Sequence, residues 1–318
     1  MKAIFYNKKG APEKWVRKEV EQPQPKDNEV LVKVDVVSPN AADYRMIQLG
    51  MVSRKKILGS GISGTVVSVG KDVQEFKTGD SVLADLADSG FGGLAEFAIA
   101  PAKALVLKPQ KLSHATAASL PVAATTALQA LKDKGNIQAG QKVLIIGSSG
   151  GVGTFAVQLA SYFGAEVTAV CSTRNLEQSK ALGADFVIDY TKEDFLKGDK
   201  RYDLILAING NYSLSGCKRI LAQNGIYVMV GGTFRQIFKA LLLGRFMSFG
   251  SKKMLSLSAK GKADDLAFVV DLVAKGKIKP LIEKSYPFDQ TGEAMTYILA
   301  GHAKGKIVIQ LANATMSI

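Results

Sequence analysis

The chain has 318 residues, and at about 150 residues per domain this length suggests two domains. Hydrophobic residues make up 47% and charged residues 22%, which excludes a disordered tail protein, a collagen-like rod and a coiled coil. The 41 lysines and arginines exceed the 28 aspartates and glutamates, and the formal net charge of +13 favours anionic partners such as phosphates, nucleic acid or a membrane surface.

Residues 1–110 show the alternation and turn signals of a β-rich domain. The sequence predicts strands over 30–37, 64–70, 80–84 and 95–99. Ser113 can cap a following helix, and an Ala/Leu-rich helical stretch continues to residue 134 with an interruption at Pro121. The first third of the chain is therefore expected to form its own β domain.

From residue 142 onwards, apolar strands alternate with helices. Strands are predicted over 142–147, 166–171, 186–188, 203–208 and 226–231, and Gly164, Gly183 and Gly225 stand where intervening helices should end. This pattern indicates a parallel sheet covered on both faces. A helix from 262 to 275, a strand over 282–288, a helix over 291–299 and a strand over 306–311 follow, and we expect the last strand to return to the first domain.

The sharpest motif is the glycine-rich turn that follows the strand at 142–147. Its residues are Gly147, Ser148, Ser149, Gly150, Gly151, Val152 and Gly153. Glycines allow the tight turn, the close approach of backbone to a diphosphate and the packing of helix on strand, and the helix N-terminus attracts the phosphates. This strand–turn–helix context predicts a dinucleotide site rather than an ordinary tight turn.

The end of the next strand indicates which dinucleotide is bound. NAD sites usually carry an acidic residue there, whereas this strand ends in Ser172, Thr173 and Arg174. Two hydroxyls and a guanidinium suit a 2′-phosphate, so the sequence predicts NADPH. Tyr190, after the third strand, is either a partner of the adenosine or an edge tyrosine.

Several further stretches make the chain resemble the medium-chain dehydrogenase/reductase superfamily, in its zinc-free quinone oxidoreductase branch. They include Asn40-Ala41-Ala42-Asp43, Gly92-Gly93-Leu94-Ala95-Glu96-Phe97 and Gly301-His302-Ala303-Lys304-Gly305-Lys306. The stretches around Arg174 and over 276–280 are most similar to chloroplast-envelope quinone oxidoreductase homologues and alkenal or enone reductases. The resemblance covers essentially the whole chain.

The resemblance implies an α/β fold with two domains and an active site between them. A GroES-like catalytic domain would span 1–115, completed by 275–318, and a Rossmann domain with a doubly wound parallel sheet would span 116–274. It places Thr126 near the nicotinamide, and Asn209, Val230, Gly231 and Gly232 along the path of the ribose and nicotinamide. A quinone or an α,β-unsaturated carbonyl would be the hydride acceptor.

Zinc ligands are missing from the sequence. The Gly-His-Glu motif of zinc alcohol dehydrogenases is replaced by Gly59-Ser60-Gly61, and only two cysteines and two histidines are present. This favours an electron-poor acceptor, for which a few hydrogen-bond donors suffice. Asn40 and Tyr44 are the candidate catalytic donors, although Asn40 and Asp43 are also typical turn-forming residues.

The remaining expectations concern partners and location. A basic, apolar stretch over 233–257 is either a core helix with a charged rim or a weak peripheral membrane contact. We expect no nucleic-acid partner, a monomer or homodimer, and a cytoplasmic protein, because no signal peptide and no transmembrane span are visible. Two other functions stay open: an NADPH-binding sensor with little turnover, and a ketone or alcohol oxidoreductase.

Overall fold

The computed structural model describes residues 1–6, 15–40, 43–45, 56–209, 212–232, 248, 250–301 and 303–311. The chain divides into two compact units. The first unit consists of Met1–Thr125, Lys260–Gly276 and Pro280–Ile318, and the second of Thr126–Ala259 and Lys277–Lys279. These bounds differ from the predicted domains, because residues 116–125 and 260–274 belong to the first unit and Lys277–Lys279 belong to the second.

Strands occur in both units, and we number them in chain order. They are β1 (Lys2–Phe5), β2 (Val16–Glu19), β3 (Glu29–Ser38), β4 (Gly61–Val69), β5 (Ser81–Asp85), β6 (Phe97–Pro101), β7 (Leu105–Leu107), β8 (Lys142–Ile146), β9 (Glu166–Cys171), β10 (Phe186–Asp189), β11 (Tyr202–Ala207), β12 (Leu221–Met229), β13 (Lys253–Ser256), β14 (Ile282–Pro287) and β15 (Lys306–Gln310).

The α-helices are numbered in the same way. They are α1 (His114–Ala118), α2 (Ala123–Gln129), α3 (Gly151–Tyr162), α4 (Leu176–Ala181), α5 (Leu214–Arg219), α6 (Ala263–Ala274) and α7 (Thr291–Leu299). The Ser113 side chain accepts a hydrogen bond from the Thr116 backbone N–H at 3.1 Å, so the predicted cap at the start of α1 is confirmed. The predicted interruption near Pro121 separates α1 from α2.

The second unit contains a six-stranded parallel sheet. Its order is β10-β9-β8-β11-β12-β13, and every neighbouring pair is parallel. This is the doubly wound order, with β8 and β11 side by side where the direction of winding reverses. Leu144, Val170 and Ile205 lie in its core, which explains the nearly continuous apolar sequence of these strands.

The first unit is built on a mainly antiparallel sheet. The order is β14-β15-β3-β4-β5-β7, and β6 also pairs with β3. β15 pairs with β3 in antiparallel fashion, so the prediction that the last strand returns to the first domain is confirmed. Helix α6 contacts β7, which is why this helix belongs with the first unit.

The predicted helix ends have different outcomes. Gly164 and Gly183 follow α3 and α4 with φ values of +77° and +100°, the left-handed conformation that ends many helices. The prediction for Gly225 is wrong, because this residue lies inside β12. A Cβ there would lie 3.0 Å from the Ala222 carbonyl oxygen and 3.1 Å from that of Tyr202, so close backbone packing accounts for the glycine.

Candidate functional site

The predicted dinucleotide residues follow the carboxyl ends of parallel strands in the second unit. Because all six strands run in one direction, these ends share one edge of the sheet. The glycine turn follows β8, Ser172 follows β9 and Tyr190 follows β10. Asn209 comes after β11, and residues 230–232 come after β12. Sheet topology therefore brings together five segments that are distant in sequence.

The glycine turn has the geometry that the motif predicts. Gly147 has a φ of +86°, and a Cβ there would lie 3.0 Å from the backbone nitrogen of Asn209. A Cβ at Gly153 would lie 2.1 Å from the Gly147 carbonyl oxygen, against backbone that cannot yield. These two glycines therefore serve the turn and the packing of α3 on β8.

Gly150 has a different role in the turn. It is the residue before α3, with φ −82° and ψ 179°, a backbone conformation open to any residue. Apart from its two chain neighbours, no atom of the described residues would lie within 4 Å of a Cβ at this position. The helix that follows leaves the first backbone N–H groups without intrahelical partners. Open space beside unpaired donors at a helix N-terminus fits a diphosphate.

The serines of the turn are not equivalent. Ser148 is fully buried, and its hydroxyl lies 3.0 Å from the Ser179 hydroxyl and 3.3 Å from the Val170 carbonyl oxygen. Ser149 is only partly buried. The Ser148 side chain thus forms its hydrogen bonds inside the protein and does not face the surface of the glycine turn.

The predicted adenosine residues lie on the surface of the second unit. Arg174 and Tyr190 are exposed, and Ser172 is partly buried. The Asn175 side-chain amide donates a hydrogen bond to the Ser172 hydroxyl at 3.2 Å. A cavity of about 510 Å³ opens beside Tyr190, lined by residues 190–196 together with Tyr212 and Ser213. The cavity is large enough for an aromatic base.

An acidic residue that sequence reasoning missed also lies here. Asp189, the last residue of β10, is aligned with Cys171, the last residue of β9. Its carboxylate is buried and accepts hydrogen bonds from the hydroxyls of Thr173 at 2.5 Å and Thr191 at 2.6 Å. These bonds lower the pKa of Asp189. Thr173, predicted to bind the phosphate, thus donates its hydroxyl proton to a carboxylate.

The other predicted cofactor residues lie in the second unit as well. The Val230 and Gly231 backbone N–H groups both donate to the Ala207 carbonyl oxygen, at 2.9 and 3.2 Å. This bends the chain at the end of β12, where Gly232 follows with a φ of +143°. Thr126 is partly buried in α2 and is the first residue of the second unit.

The predicted catalytic residues belong to the first unit, where Asn40 lies in a buried polar network. Its side-chain amide donates to the Ser38 carbonyl oxygen at 3.0 Å and lies 3.4 Å from the Ser60 hydroxyl. Its carbonyl oxygen accepts a hydrogen bond from the Lys306 ammonium at 2.6 Å. The Asn40 side chain therefore already has partners within the protein. Its amide must break one of these contacts before it can donate a hydrogen bond to a substrate.

Asp43 completes this network, which we call the Lys306 cluster (Asn40, Asp43, Ser60 and Lys306). One Asp43 carboxylate oxygen accepts from the Asn40 backbone N–H at 2.6 Å and from the Ser60 hydroxyl at 3.2 Å. The other is buried, with no hydrogen-bond partner among the described residues. Burial raises the pKa of Asp43 to about 6 and lowers the pKa of Lys306 to about 8.

Asn40 and Asp43 therefore form a turn in the structure, which was the alternative interpretation of these residues. The Asp43 backbone N–H also donates to the Asn40 carbonyl oxygen at 3.1 Å. Tyr44 packs against the hydrophobic core of the first unit. The Lys306 contact was missed because 266 residues separate it from Asn40, and no local pattern signals such a pair.

The stretch that replaces a zinc-binding motif is tightly packed. A Cβ at Gly61 would lie 3.0 Å from the Ala118 carbonyl oxygen and 3.3 Å from that of Ser38. An acidic side chain would not fit there without movement of the backbone. Across the described ranges, no group of three or more His, Cys, Asp or Glu side chains is placed to hold a metal ion.

A second polar cluster contains Ser63, His114 and Asp35. The Ser63 hydroxyl lies 2.9 Å from His114 Nδ1, and His114 Nε2 lies 3.7 Å from an Asp35 carboxylate oxygen. However, Ser63 is fully buried and donates its proton to the Val82 carbonyl oxygen at 2.8 Å. The serine is therefore not an accessible nucleophile, and His114 is the first residue of α1.

The basic stretch predicted over 233–257 lies mostly outside the described residues, which include only 248 and 250–257 of it. Its residues 253–256 form the edge strand β13, so the helix interpretation is wrong for this part of the stretch. His302 also lies outside them. Among the helices that the structure describes, none combines the length and apolar character needed to cross a membrane.

Comparisons with known proteins agree with this architecture. The family model for an alcohol dehydrogenase GroES-like domain matches residues 26–110, and the model named zinc-binding dehydrogenase matches residues 182–309. The chain is 37% identical to a chloroplast envelope quinone oxidoreductase homolog of Arabidopsis thaliana, over 98% of each chain.

Two further relatives extend the comparison. A 2-methylene-furan-3-one reductase of Solanum lycopersicum is 32% identical over 97% of this chain and 79% of its own. The solved quinone oxidoreductase of Coxiella burnetii superimposes with a TM-score of 0.89 at 28% identity, over 98% of this chain and 99% of that one. These similarities support an NAD(P)H oxidoreductase, and the chain belongs to the medium-chain dehydrogenase/reductase superfamily.

Proposed function

We propose that this protein transfers hydride from NADPH, without zinc, to a quinone or to the activated C=C bond of an α,β-unsaturated carbonyl compound. The observation that carries the proposal is the open space at Gly150, beside the N-terminus of α3. The names of the relatives, which are quinone oxidoreductases and an enone reductase, support the choice of acceptor.

In this proposal, the carboxyl edge of the parallel sheet binds the dinucleotide. The backbone from Ser148 to Gly153 holds the diphosphate, because helix N-termini stabilise negative charge. Arg174 binds the 2′-phosphate with a planar guanidinium, which forms paired hydrogen bonds to phosphate oxygens. The adenine occupies the cavity beside Tyr190.

When bound, the reduced nicotinamide supplies the hydride. The protein's task is then to orient the acceptor and to stabilise the negative charge that develops on its oxygen. A single well-aimed donor can contribute about 3 kcal/mol to this stabilisation. Asn40 and Tyr44 remain our candidates for that donor, and the proton can come from water.

The predictions about partners remain part of the proposal. We infer a small-molecule substrate, no nucleic-acid partner and a cytoplasmic location. A monomer or homodimer, and weak contact with an anionic membrane through the basic stretch over 233–257, also stay predictions. Co-sedimentation with anionic vesicles at low salt checks the membrane contact, which is excluded if no binding occurs there.

The function is tested by NADPH oxidation with alkenals, enones, quinones and simple ketones, with the products identified. We expect one NADPH consumed per acceptor, giving a saturated carbonyl compound from an enone or a hydroquinone from a quinone. A product that keeps its C=C bond and gains a hydroxyl would indicate a carbonyl reductase. Binding of NADPH without turnover on any acceptor would indicate a sensor.

The choice of NADPH is tested by Arg174→Ala. Loss of the guanidinium removes a charge-assisted hydrogen bond to the 2′-phosphate, which contributes about 1.5–3 kcal/mol. We expect the Kd of NADPH, measured by fluorescence titration, to rise at least about 10-fold, and that of NADH to change little. Equal losses for the two dinucleotides would contradict a 2′-phosphate site at Arg174.

A further inference from the structure

The carboxylate at the end of β10 has an unusual set of partners. The Thr173 hydroxyl lies 2.5 Å from one Asp189 oxygen, and the Thr191 hydroxyl lies 2.6 Å from the other. The Thr191 backbone N–H also donates to Asp189, at 3.0 Å, and the two hydroxyls lie 3.2 Å apart. Asp189 is 7% exposed, whereas both threonines are exposed.

These contacts determine what the threonines can offer to a ligand. An ionised carboxylate only accepts hydrogen bonds, and each hydroxyl has a single proton to donate. Thr173 and Thr191 therefore both direct their protons at Asp189. Their exposed oxygens are left with lone pairs, so the pair can accept hydrogen bonds from a ligand but not donate them.

A pair of acceptors treats the two dinucleotides differently. The 2′-hydroxyl of NADH can donate a hydrogen bond to a threonine oxygen. The 2′-phosphate of NADPH carries only acceptors and is repelled by the nearby carboxylate. Cations are present too: Arg174 is adjacent to Thr173, and the Lys192 ammonium lies 3.9 Å from Asp189. The site thus combines groups that suit each dinucleotide.

We propose that Asp189 is a specificity-determining residue, which enables the adenosine site to accept NADH as well as NADPH by turning Thr173 and Thr191 into hydrogen-bond acceptors. This inference rests on the proposed function, since it concerns the same dinucleotide site. It deepens that function by naming the range of cofactors and the residue that sets it.

Fluorescence titration with NADPH and with NADH tests the inference without catalysis. For the unaltered protein we expect the two Kd values to lie within about 10-fold of each other. In Asp189→Asn, the new amide donates to one threonine, whose proton can then point outward to a phosphate. One hydrogen bond to a charged group corresponds to a factor of roughly 10 or more, so the preference for NADPH should rise at least about 10-fold.

Asp185→Asn is the matched control. Asp185 precedes β10 at the opposite end of the strand, where its carboxylate accepts from the Val167 backbone N–H at 2.8 Å. Its replacement also removes one negative charge, but the NADPH preference should not change. An equal increase in both variants would indicate a general charge effect and would overturn the assignment to Asp189.

Thr173→Val provides a second test that keeps the carboxylate in place. Because Thr173 is exposed, its replacement should leave the fold intact. We expect the Kd of NADH to rise roughly 5-fold, about the value of one neutral hydrogen bond, with a smaller change for NADPH. A larger loss for NADPH than for NADH would mean that Thr173 donates to the phosphate, and the inference would be wrong.

Two other results of the titration distinguish failure of this inference from failure of the proposed function. If the unaltered protein binds NADPH but not NADH, the inference fails and the proposed function stands. If it binds neither dinucleotide, the proposed function itself fails.

Discussion

At the scale of single residues, the Lys306 cluster is the least predictable part of the first unit. Lys306 is 4% exposed, and it faces Asn40 across a separation of 266 positions in sequence. Asp43 and Asp85 act on it electrostatically, and burial raises the pKa of each carboxyl to about 6. The sequence indicated Asn40 and Asp43 through a local turn pattern, but their cationic partner arises from the pairing of β15 with β3.

The pKa of Asp43 determines how this residue contributes to stability. Its folded pKa of about 6 lies above the ordinary value of 3.8, so the folded protein binds more protons than the unfolded chain between these values. The contribution of Asp43 is therefore most favourable at low pH and declines as the pH rises to about 6. At pH 7.5 the Asp43 carboxylate is ionised, and the Asn40 backbone N–H, the Ser60 hydroxyl and the charge of Lys306 all favour this form.

Replacement of Lys306 by methionine should therefore destabilise the protein in a pH-dependent way. Loss of the Lys306 ammonium removes a charge that favours the Asp43 carboxylate and the hydrogen bond to the Asn40 side-chain oxygen, and a buried polar group left unsatisfied costs about 1–3 kcal/mol. We expect a loss of this size in the free energy of unfolding at pH 7.5, and a clearly smaller loss at pH 5, where Asp43 is protonated. Urea denaturation at the two pH values measures both.

Lys77→Met, at an exposed lysine, is the control and should change the free energy of unfolding by less than about 0.5 kcal/mol. An equal loss for Lys306→Met at both pH values would mean that packing rather than charge accounts for the effect.

At the scale of elements, predictions succeeded where the signal is local. The strand before the glycine turn and the helix after it, β8 and α3, were both predicted because an apolar run, glycines and a helical pattern follow one another directly. β1, β2, β7 and β13 were missed, since short strands carry little pattern of their own. Gly225 was misassigned because packing between neighbouring strands, rather than a helix end, requires the glycine.

Asp189, the acidic residue at the proposed adenosine site, was also missed because no local sequence pattern reveals it. The expected position for an acid is the end of the second strand of the parallel sheet, and none is there. Asp189 reaches the site from the third strand, because β10 pairs with β9 in a register that aligns Asp189 with Cys171. Strand register is a tertiary property, and the sequence of either strand alone does not reveal it.

Mutation can distinguish the roles of Gly150 and Gly153 at the start of α3. At Gly150 an added methyl group meets no atom within 4 Å in the part of the chain that the structure describes, its two chain neighbours aside, so Gly150→Ala should change the free energy of unfolding by less than about 0.5 kcal/mol. The same methyl group would occupy the space proposed for the diphosphate. We therefore expect NADPH binding to weaken at least about 10-fold, a loss of about 1.4 kcal/mol, in a fluorescence titration.

Gly153→Ala is the matched comparison. Its methyl group would lie 2.1 Å from the Gly147 carbonyl oxygen and 2.6 Å from the carbonyl carbon of Ser148. Overpacking of this kind costs about 1–3 kcal/mol, so thermal unfolding should occur at a lower temperature. If Gly150→Ala binds NADPH as tightly as the unaltered protein, the diphosphate does not lie at this turn.

At the scale of the whole molecule, the sequence predicted the folds of the two domains more accurately than the residues at which the domains begin and end. The expectation that the last strand returns to the first domain is confirmed by the pairing of β15 with β3. The sequence predicted helix α6 as part of the Rossmann domain, yet this helix contacts β7 in the first unit. Its amphipathic sequence specifies a face to be buried, but not which sheet buries that face.

The most direct test is a crystal structure of the protein with NADPH. We predict that the diphosphate contacts the backbone N–H groups at the start of α3, and that the 2′-phosphate lies within hydrogen-bond distance of Arg174. A dinucleotide bound away from the carboxyl edge of the parallel sheet, or with its 2′-phosphate far from Arg174, would contradict the proposed function at its foundation.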